Sequence, residues 1–269
     1  LTVDHRLLTL KKKMTFWDHL DELRGVIIKI VTAIVVLMVI SFLFKEEIFS
    51  IVLAPKDSDF VLYQLLQQAA SSIGISSFHI PSFDIELIST QLASQFITHM
   101  KMALCCGILL ASPYILYQLL RFVTPALYEN ERRYAVPVVT WGYTLYVLGV
   151  LLTYFLIFPL AIRFLGTYQV SSDIPNLITL DSYISTLITM SLLTGLMFEL
   201  PMICWLFAKL GFINSCFLRK YRRHAFVIIL IIGTVITPTA DVFTLLLVSI
   251  PIYILYEVSI GVVSLSGQK

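Results

Sequence analysis

The sequence has 269 residues, of which 58% are apolar and 13% are charged, whereas an ordinary soluble domain is about 25% charged. This excess, with long uncharged runs between clusters of charge, predicts a polytopic membrane protein rather than a soluble domain. The formal net charge of +2 is too small to favour nucleic acid as a partner.

The first predicted element is a short amphipathic helix at residues 16–24. Its apolar residues share one face, and three carboxylates, Asp18, Asp21 and Glu22, lie elsewhere. Such a helix lies at the membrane surface. Its carboxylates are either a docking site for a basic ligand or solvated charges on an anchor, and spacing alone favours the anchor. We therefore expect a cytoplasmic segment at residues 1–25, a single membrane domain at 26–263 and a cytoplasmic tail at 264–269.

The membrane domain contains several apolar runs close to the roughly 20 residues that a helix needs to cross a bilayer. The first run exceeds the apolar region of a cleavable signal peptide, so we expect it to be retained. Near the end of the chain, Pro238 disfavours a continuing helix and Asp241 can N-cap another, which predicts two short spans. Short spans imply local thinning of the bilayer. The predicted spans are at about residues 26–44, 95–120, 134–162, 182–208, 224–237 and 241–258.

Basic residues are concentrated in alternate connections. The segment before the first span, the second-to-third connection and the fourth-to-fifth connection are rich in Lys and Arg, whereas residues 166–181 and the last turn have none. Lys and Arg of short loops stay in the cytoplasm, so both termini are expected there. This requires an even number of spans. The predicted fold class is all-α, with six transmembrane helices, the last two short, in an N-in/C-in arrangement.

The first external connection is too long for a simple turn. Apolar residues at 60–70 have helical spacing, and residues 84–100 have an amphipathic helical pattern. We expect the second pattern to extend the second span outward and to cover part of the external surface.

A single carboxylate, Glu199, lies inside the fourth span, close to Pro201. A charge at mid-membrane costs at least about 2.5–3.5 kcal/mol on insertion scales and usually marks function. We favour a polar or proton-sensitive site in a cavity over a hydrogen bond that only joins helices. The second-to-third connection also has carboxylates, Glu129 and Glu131, which either bind an arginine bidentately or pair with neighbouring arginines. The residues leave these two interpretations about even.

Several blocks of sequence, in order along residues 15–260, resemble the TatC family of twin-arginine translocase subunits. Together these blocks are specific to the family, although each block alone is modest evidence for it. They read His-Leu-Asp-Glu-Leu-Arg at 19–24, Ser-Pro-Tyr-Ile-Leu-Tyr-Gln at 112–118, Phe-Val-Thr-Pro-Ala-Leu-Tyr-Glu-Asn-Glu-Arg-Arg at 122–133, Phe-Glu-Leu-Pro at 198–201, and Thr-Pro-Thr-Ala-Asp-Val-Phe at 237–243 with Ile-Pro at 250–251 and Tyr-Glu at 256–257.

The resemblance implies a receptor in the cytoplasmic (inner) membrane that binds twin-arginine signal peptides and exports folded proteins. Transport in this family uses the proton-motive force, without nucleotide hydrolysis by the subunit. By family pattern, Glu22 and Glu131 belong to the surface that recognises the arginine pair. Arg24, Phe122 and Arg132 match neighbouring positions of the same motifs.

The resemblance also implies single-span TatA-type partners, with a TatB-type subunit in some organisms, and a homo-oligomer within a larger complex in the lipid bilayer. Glu199 would face an intramembrane groove. Asp241, Thr244 and Glu257 are the candidate partner contacts. Two departures concern this region, because the turn at 237–241 is one residue longer than in some relatives and Leu245 replaces a glutamine common in the family.

The apolar spans are also compatible with two other functions. One is a secondary transporter of a small solute or ion centred on Glu199, but the sequence has no convincing internal repeat. The other is a membrane enzyme, but the sequence lacks the usual nucleophile, zinc and nucleotide motifs. The four cysteines form no Cys-x-x-Cys pair, so neither a disulfide framework nor a metal site is expected. We therefore expect no cofactor and no enzymatic activity.

Overall fold

The computed structural model describes residues 16–57, 59–72, 85–123, 135–169, 171, 176–237 and 241–266. Eleven α-helices and one two-stranded sheet are formed by these residues. The elements are α1 (Phe16–Leu43), α2 (Lys45–Leu53), a 3-10 turn (Ala54–Lys56), α3 (Val61–Ser72), β1 (Leu87–Ile88), α4 (Ser94–Val123), α5 (Ala135–Leu152), a π-helical turn (Thr153–Ile157), α6 (Phe158–Thr167), β2 (Ile178–Thr179), α7 (Leu180–Phe198), α8 (Leu200–Lys209), α9 (Ser215–Lys220), α10 (Arg222–Ile236) and α11 (Val242–Ser266).

Five helical segments of the described chain are long and apolar enough to cross a membrane. They overlap the first four predicted spans and the last one, which supports the membrane character read from the composition. These segments are Leu20–Leu43, Ser94–Phe122, Val139–Thr167, Leu180–Lys209 and Val242–Leu265. The remaining predicted span corresponds to α10, whose 15 residues are only about 22 Å long.

The first helix differs from the prediction, because α1 runs without interruption from Phe16 to Leu43. The amphipathic residues 16–24 therefore continue into the first span and do not form a separate helix. Gly25, at the predicted boundary, stays helical. A glycine in a helix costs only about 1 kcal/mol relative to alanine, which does not end a helix when good helix formers lie on both sides.

Helices α1 and α4 pack antiparallel along most of their length. Gly107 of α4 makes this possible, because a Cβ built there would lie 2.9 Å from the backbone nitrogen of Met38 and 3.0 Å from the carbonyl oxygen of Ile34. Towards the other end of the pair, the ring of Phe42 stacks on His99, with 4.0 Å between the ring centroids. These contacts fix the register of the two helices.

Helices α5 and α7 form a second close antiparallel pair in the centre of the bundle. A Cβ at Gly195 would lie 2.9 Å from the Cε2 atom of Tyr146, and a Cβ at Gly149 would lie 2.7 Å from the Cγ atom of Phe198. Because small residues face each other, the backbones approach closely, which is how helices associate within a bilayer. The main buried cluster, which includes Ile184, surrounds this pair.

The connection between α1 and α4 packs on the helix bundle through tyrosine hydroxyl groups. Tyr183 donates to the carbonyl of Val52 at 3.0 Å, and Tyr63 of α3 donates to the carbonyl of Pro159 at 2.8 Å. Burial raises the pKa of Tyr63 to about 12, so its hydroxyl keeps the proton that it donates. Helix α3 agrees with the helical spacing predicted for residues 60–70, and the connection lies against α6 and α7.

The pattern at residues 84–100 was only partly interpreted correctly. Helix α4 begins at Ser94, and residues 87–88 instead form a parallel strand, with Leu87 opposite Ile178 and Ile88 opposite Thr179. The fold is therefore mostly helical rather than all-α. The strand partner lies about 90 residues further along the chain, so a local pattern carries no information about this pairing.

The final helix is also longer than predicted, because α11 has 25 residues where a short span at 241–258 was expected. Glu257 lies at the end of the predicted span but inside the helix. Arg222 at the start of α10 donates to the Oε2 atom of Glu257 at 2.6 Å. This ion pair offsets the charge within the helix, which continues to Ser266. Only α10 of the last two helices is short.

Candidate functional site

One end of the bundle holds the first turns of α1 and the last turn of α4. The register set by Gly107 and Phe42 places Phe122 at the level of Glu22, because α1 and α4 run in opposite directions. Phe122 and Glu22 are both half-buried, whereas Arg24 is exposed. The structure thus brings an aromatic ring and a carboxylate, separated by 100 residues in sequence, to the same end of one helix pair.

At this end of the bundle, the carboxylate of Glu22 has a buried oxygen, Oε2, that lacks a hydrogen-bond donor among the described residues. A buried oxygen without a donor is costly, and a charged donor from a ligand would remove that cost. A guanidinium group satisfies a carboxylate best, since it donates two parallel hydrogen bonds.

Glu131 and Arg132 lie outside the described residues, between the end of α4 at Val123 and the start of α5 at Ala135. The structure therefore does not test whether they join Glu22. Helices α4 and α5 do flank the connection that contains them.

Glu199 lies at a break in the fourth span, where α7 ends at Phe198 and α8 begins at Leu200. Pro201 explains the break, because it has no N–H group and its ring clashes with the carbonyl group four residues earlier. The Glu199 N–H group instead donates to the carbonyl of Leu196 at 3.1 Å. At this break the Glu199 side chain is buried within the bundle.

The Glu199 carboxylate occupies a tight position against α5. Its residue is only 3% exposed, and neither oxygen has a hydrogen-bond partner in the described part of the chain. A Cβ at Gly142 would lie 3.1 Å from Oε2 of Glu199 and 2.5 Å from the sulfur of Met202. The sequence interpretation did not single out Gly142, since a glycine in an apolar run gives no sign of the carboxylate that packs against it.

The three candidate partner contacts have roles within the chain itself. Asp241 N-caps α11, because its Oδ1 atom accepts from the N–H group of Thr244 at 2.6 Å, as predicted. Thr244 is fully buried, so a partner cannot reach its side chain in this conformation. Glu257 pairs with Arg222 and accepts a longer hydrogen bond from Tyr253 at 3.4 Å.

An ion pair that the sequence interpretation missed lies at the opposite end of the bundle. The Nζ atom of Lys101 on α4 is 2.6 Å from Oδ1 of Asp181 at the start of α7. Their separation of 80 residues leaves no local signal for it. Among the described residues, no group of three or more His, Cys, Asp or Glu side chains is arranged to hold a metal ion.

Comparison with known proteins gives a consistent result. A sequence model of the family described as Sec-independent protein translocase protein (TatC) matches residues 18–251. The TatC protein of Blattabacterium sp. subsp. Periplaneta americana is 36% identical over 253 residues, covering 93% of this chain and 95% of that protein. The TatC protein of Escherichia coli K12 is 32% identical over 247 residues, covering 90% and 85%.

The fold agrees with these matches. A crystal structure described as that of the twin arginine translocase receptor TatC has a TM-score of 0.74 and 31% identity, and the alignment covers 93% of this chain and 100% of that one. A second crystal structure of the receptor, in the detergent DDM, has the same TM-score at 32% identity. The family match covers most of the chain and includes Glu22, Glu131 and Glu199. The chain therefore belongs to the TatC family of Sec-independent protein translocase proteins.

Proposed function

We propose that this chain is the subunit that recognises twin-arginine signal peptides through Glu22 and Glu131. As a TatC-family protein it is a multi-pass component of the twin-arginine protein translocase in the inner membrane. The single observation that carries the proposal is the half-buried Glu22 carboxylate, whose Oε2 atom has no partner among the described residues. No comparison supports the alternative of a solute transporter centred on Glu199.

The proposed recognition depends on the geometry of the guanidinium group. Each carboxylate takes one arginine bidentately, which a lysine cannot reproduce. Phe122, at the level of Glu22, offers an apolar surface to the hydrophobic stretch that follows the arginines. Arg24 and Arg132, which are close to these carboxylates in the sequence, donate hydrogen bonds to the peptide backbone.

The test measures binding of a twin-arginine signal peptide to the purified full chain. Glu22→Gln and Glu131→Gln should each weaken binding about 10- to 100-fold, since hydrogen bonds to charged groups contribute about 1.5–3 kcal/mol. A twin-lysine peptide should bind the unaltered chain as weakly as the twin-arginine peptide binds these variants. Glu46→Gln is the matched control, because Glu46 is an exposed carboxylate near the opposite end of α1. Equal affinity for the arginine and lysine peptides would refute the proposal.

We further propose that Glu199 is a polar contact in an intramembrane groove that acts after the peptide has bound. Its burial beside Gly142 and its lack of a described partner support this role. Glu199→Gln should therefore leave peptide binding unchanged and lower transport into membrane vesicles. A protonophore should stop transport by the unaltered chain, because the proton-motive force drives it. Loss of peptide binding in Glu199→Gln would place its effect at the first step instead.

The proposed topology has six spans with both termini in the cytoplasm, and α10 is the span that joins the five longer ones. The test uses Cys216, an exposed free cysteine between α8 and α10. A membrane-impermeant maleimide should label Cys216 from the cytoplasmic side only. In a Cys216→Ser background, it should label Ser89→Cys from the external side only, because Ser89 is exposed next to β1. Labelling of both positions from one side would contradict this topology.

The proposed partners are TatA-type and TatB-type single-span subunits, which pack on the outer face of α10 and α11. Apolar residues dominate that face, and Val235 and Val242 are about 70% exposed. The 15-residue α10 also thins the bilayer there, because about 22 Å of helix faces about 30 Å of hydrocarbon. Crosslinkers placed at these two residues should capture single-span subunits or a second copy of the chain within the complex.

A further inference from the structure

We propose that a groove between α1 and α4 binds one anionic phospholipid, with Lys29 holding the phosphate and the groove holding an acyl chain. The groove has a volume of about 520 Å³ and an almost entirely apolar floor, within the range of pockets that take small molecules. Its lining includes Lys29, Thr32, Ala33 and Val36 of α1, with Tyr114 of α4 as one wall. This site is separate from Glu22 and Glu199.

Lys29 supplies the charge that selects the headgroup. It is the only charged residue between Val26 and Phe44, it is exposed, and no carboxylate of the described residues lies within ion-pair distance of it. It lies three residues into the uncharged run, or about 5 Å along the helix. Its side chain is long enough to place the ammonium group at the level of lipid phosphates.

The groove is an open depression that α1 and α4 line together. Ala33 gives it depth because its side chain is small, and the Tyr114 hydroxyl accepts from the Nε2 atom of Gln118 at 2.7 Å, which fixes the ring. Helix α1 is also peripheral, since 11% of its most apolar segment is buried, compared with 39–44% in the four other spans. The groove therefore faces the hydrocarbon of the bilayer.

The positive charge of Lys29 at the edge of the groove favours a lipid over a partner helix as the occupant. A partner helix that satisfied Lys29 would need a carboxylate at the level of its ammonium group and an apolar face along the groove. A phospholipid carries its phosphate at the interface and its acyl chain in the hydrocarbon, so it matches both parts of the site.

The test is native mass spectrometry of the full chain in detergent, titrated with phosphatidylglycerol or with phosphatidylcholine. The unaltered chain should retain phosphatidylglycerol about fivefold better, the factor expected for one lysine near an anionic surface. Lys29→Gln should remove this preference. Lys45→Gln, at the other end of α1, should preserve it. Equal retention of the two lipids by the unaltered chain, or the same loss in both variants, would overturn the proposal.

A second pair of variants tests the groove. Ala33→Phe fills it and should lower retention of both lipids, whereas Val35→Phe adds the same ring at a residue that is 50% exposed and does not line the groove. A photo-crosslinker at Ala33 should capture lipid in native membranes. Capture of a single-span subunit or of a signal peptide there, instead of lipid, would assign the groove to that occupant and overturn the lipid site.

Discussion

Replacing Gly107 with alanine tests how far the α1–α4 contact holds the protein together. The added Cβ would lie 2.9 Å from the backbone nitrogen of Met38 and 3.1 Å from its Cα atom. These are backbone atoms, so no side-chain rotation relieves the contact. Helix α1 must move away by about 0.5 Å to reach the ordinary contact distance of 3.4 Å.

The expected cost follows from this displacement. A gap of about 0.5–1 Å forfeits a quarter to a half of the dispersion energy of the contacts that it opens, and helices in a bilayer associate largely through such packing. Overpacking of this kind costs about 1–3 kcal/mol. Alanine is more favourable than glycine within a helix by about 1 kcal/mol, which offsets part of this cost. We therefore expect a net loss of about 0–2 kcal/mol in the free energy of unfolding.

The assay is denaturant unfolding of the purified chain in detergent, followed by tryptophan fluorescence. Gly261→Ala is the matched control, because Gly261 is also helical and a Cβ there would meet nothing within 4 Å. It should be neutral or slightly stabilising. If Gly107→Ala is as stable as Gly261→Ala, the close α1–α4 register is wrong, and the placement of Phe122 at the level of Glu22 fails with it.

Three further predictions use the same unfolding assay. Asp241→Ala should lower the free energy of unfolding by about 0.5–2 kcal/mol, because it removes the N-cap hydrogen bond to Thr244. Asp241→Asn should keep most of that stability, and equal losses in the two variants would show that the cap hydrogen bond contributes nothing. A double-mutant cycle on Arg222 and Glu257 should give a coupling of about 0.2–1 kcal/mol, because both side chains are at least one-third exposed, and a coupling of several kcal/mol would contradict the expected solvent screening. Tyr183→Phe should lower the free energy of unfolding by about 1–3 kcal/mol, because the carbonyl of Val52 in α2 loses its hydrogen bond from Tyr183. Hydrogen exchange in α2 should become faster, and unchanged exchange would show that this hydrogen bond does not hold α2 in place.

The candidate site was only partly predictable from the sequence. Glu199 could be singled out because a carboxylate in an apolar run is conspicuous. The break beside it, which Pro201 explains, was not predicted. Gly142, which packs against Glu199, could not be singled out, since its role depends on a contact between α5 and α8. Similarly, Lys101 and Asp181 each look like ordinary charges at span ends until the fold brings them together.

Errors in element boundaries have the same origin. The sequence contains no strong helix breaker between residues 16 and 43, and the separate first helix was inferred from a change in polarity, which does not interrupt backbone hydrogen bonds. The last span was expected to end at residue 258, next to the charged Glu257. Arg222 compensates that charge from another helix, so the backbone continues to Ser266.

The sequence by itself determined that the chain is a membrane protein, where most of its spans lie, and that it resembles the TatC family. These properties follow from runs of apolar residues and from short motifs, which are local along the chain. Only the tertiary structure decided that Phe122 lies at the level of Glu22, that Glu199 packs against Gly142, and that a groove forms beside Lys29. Each depends on the register between helices, which is set by a few close backbone contacts at small residues such as Gly107 and cannot be read from hydropathy.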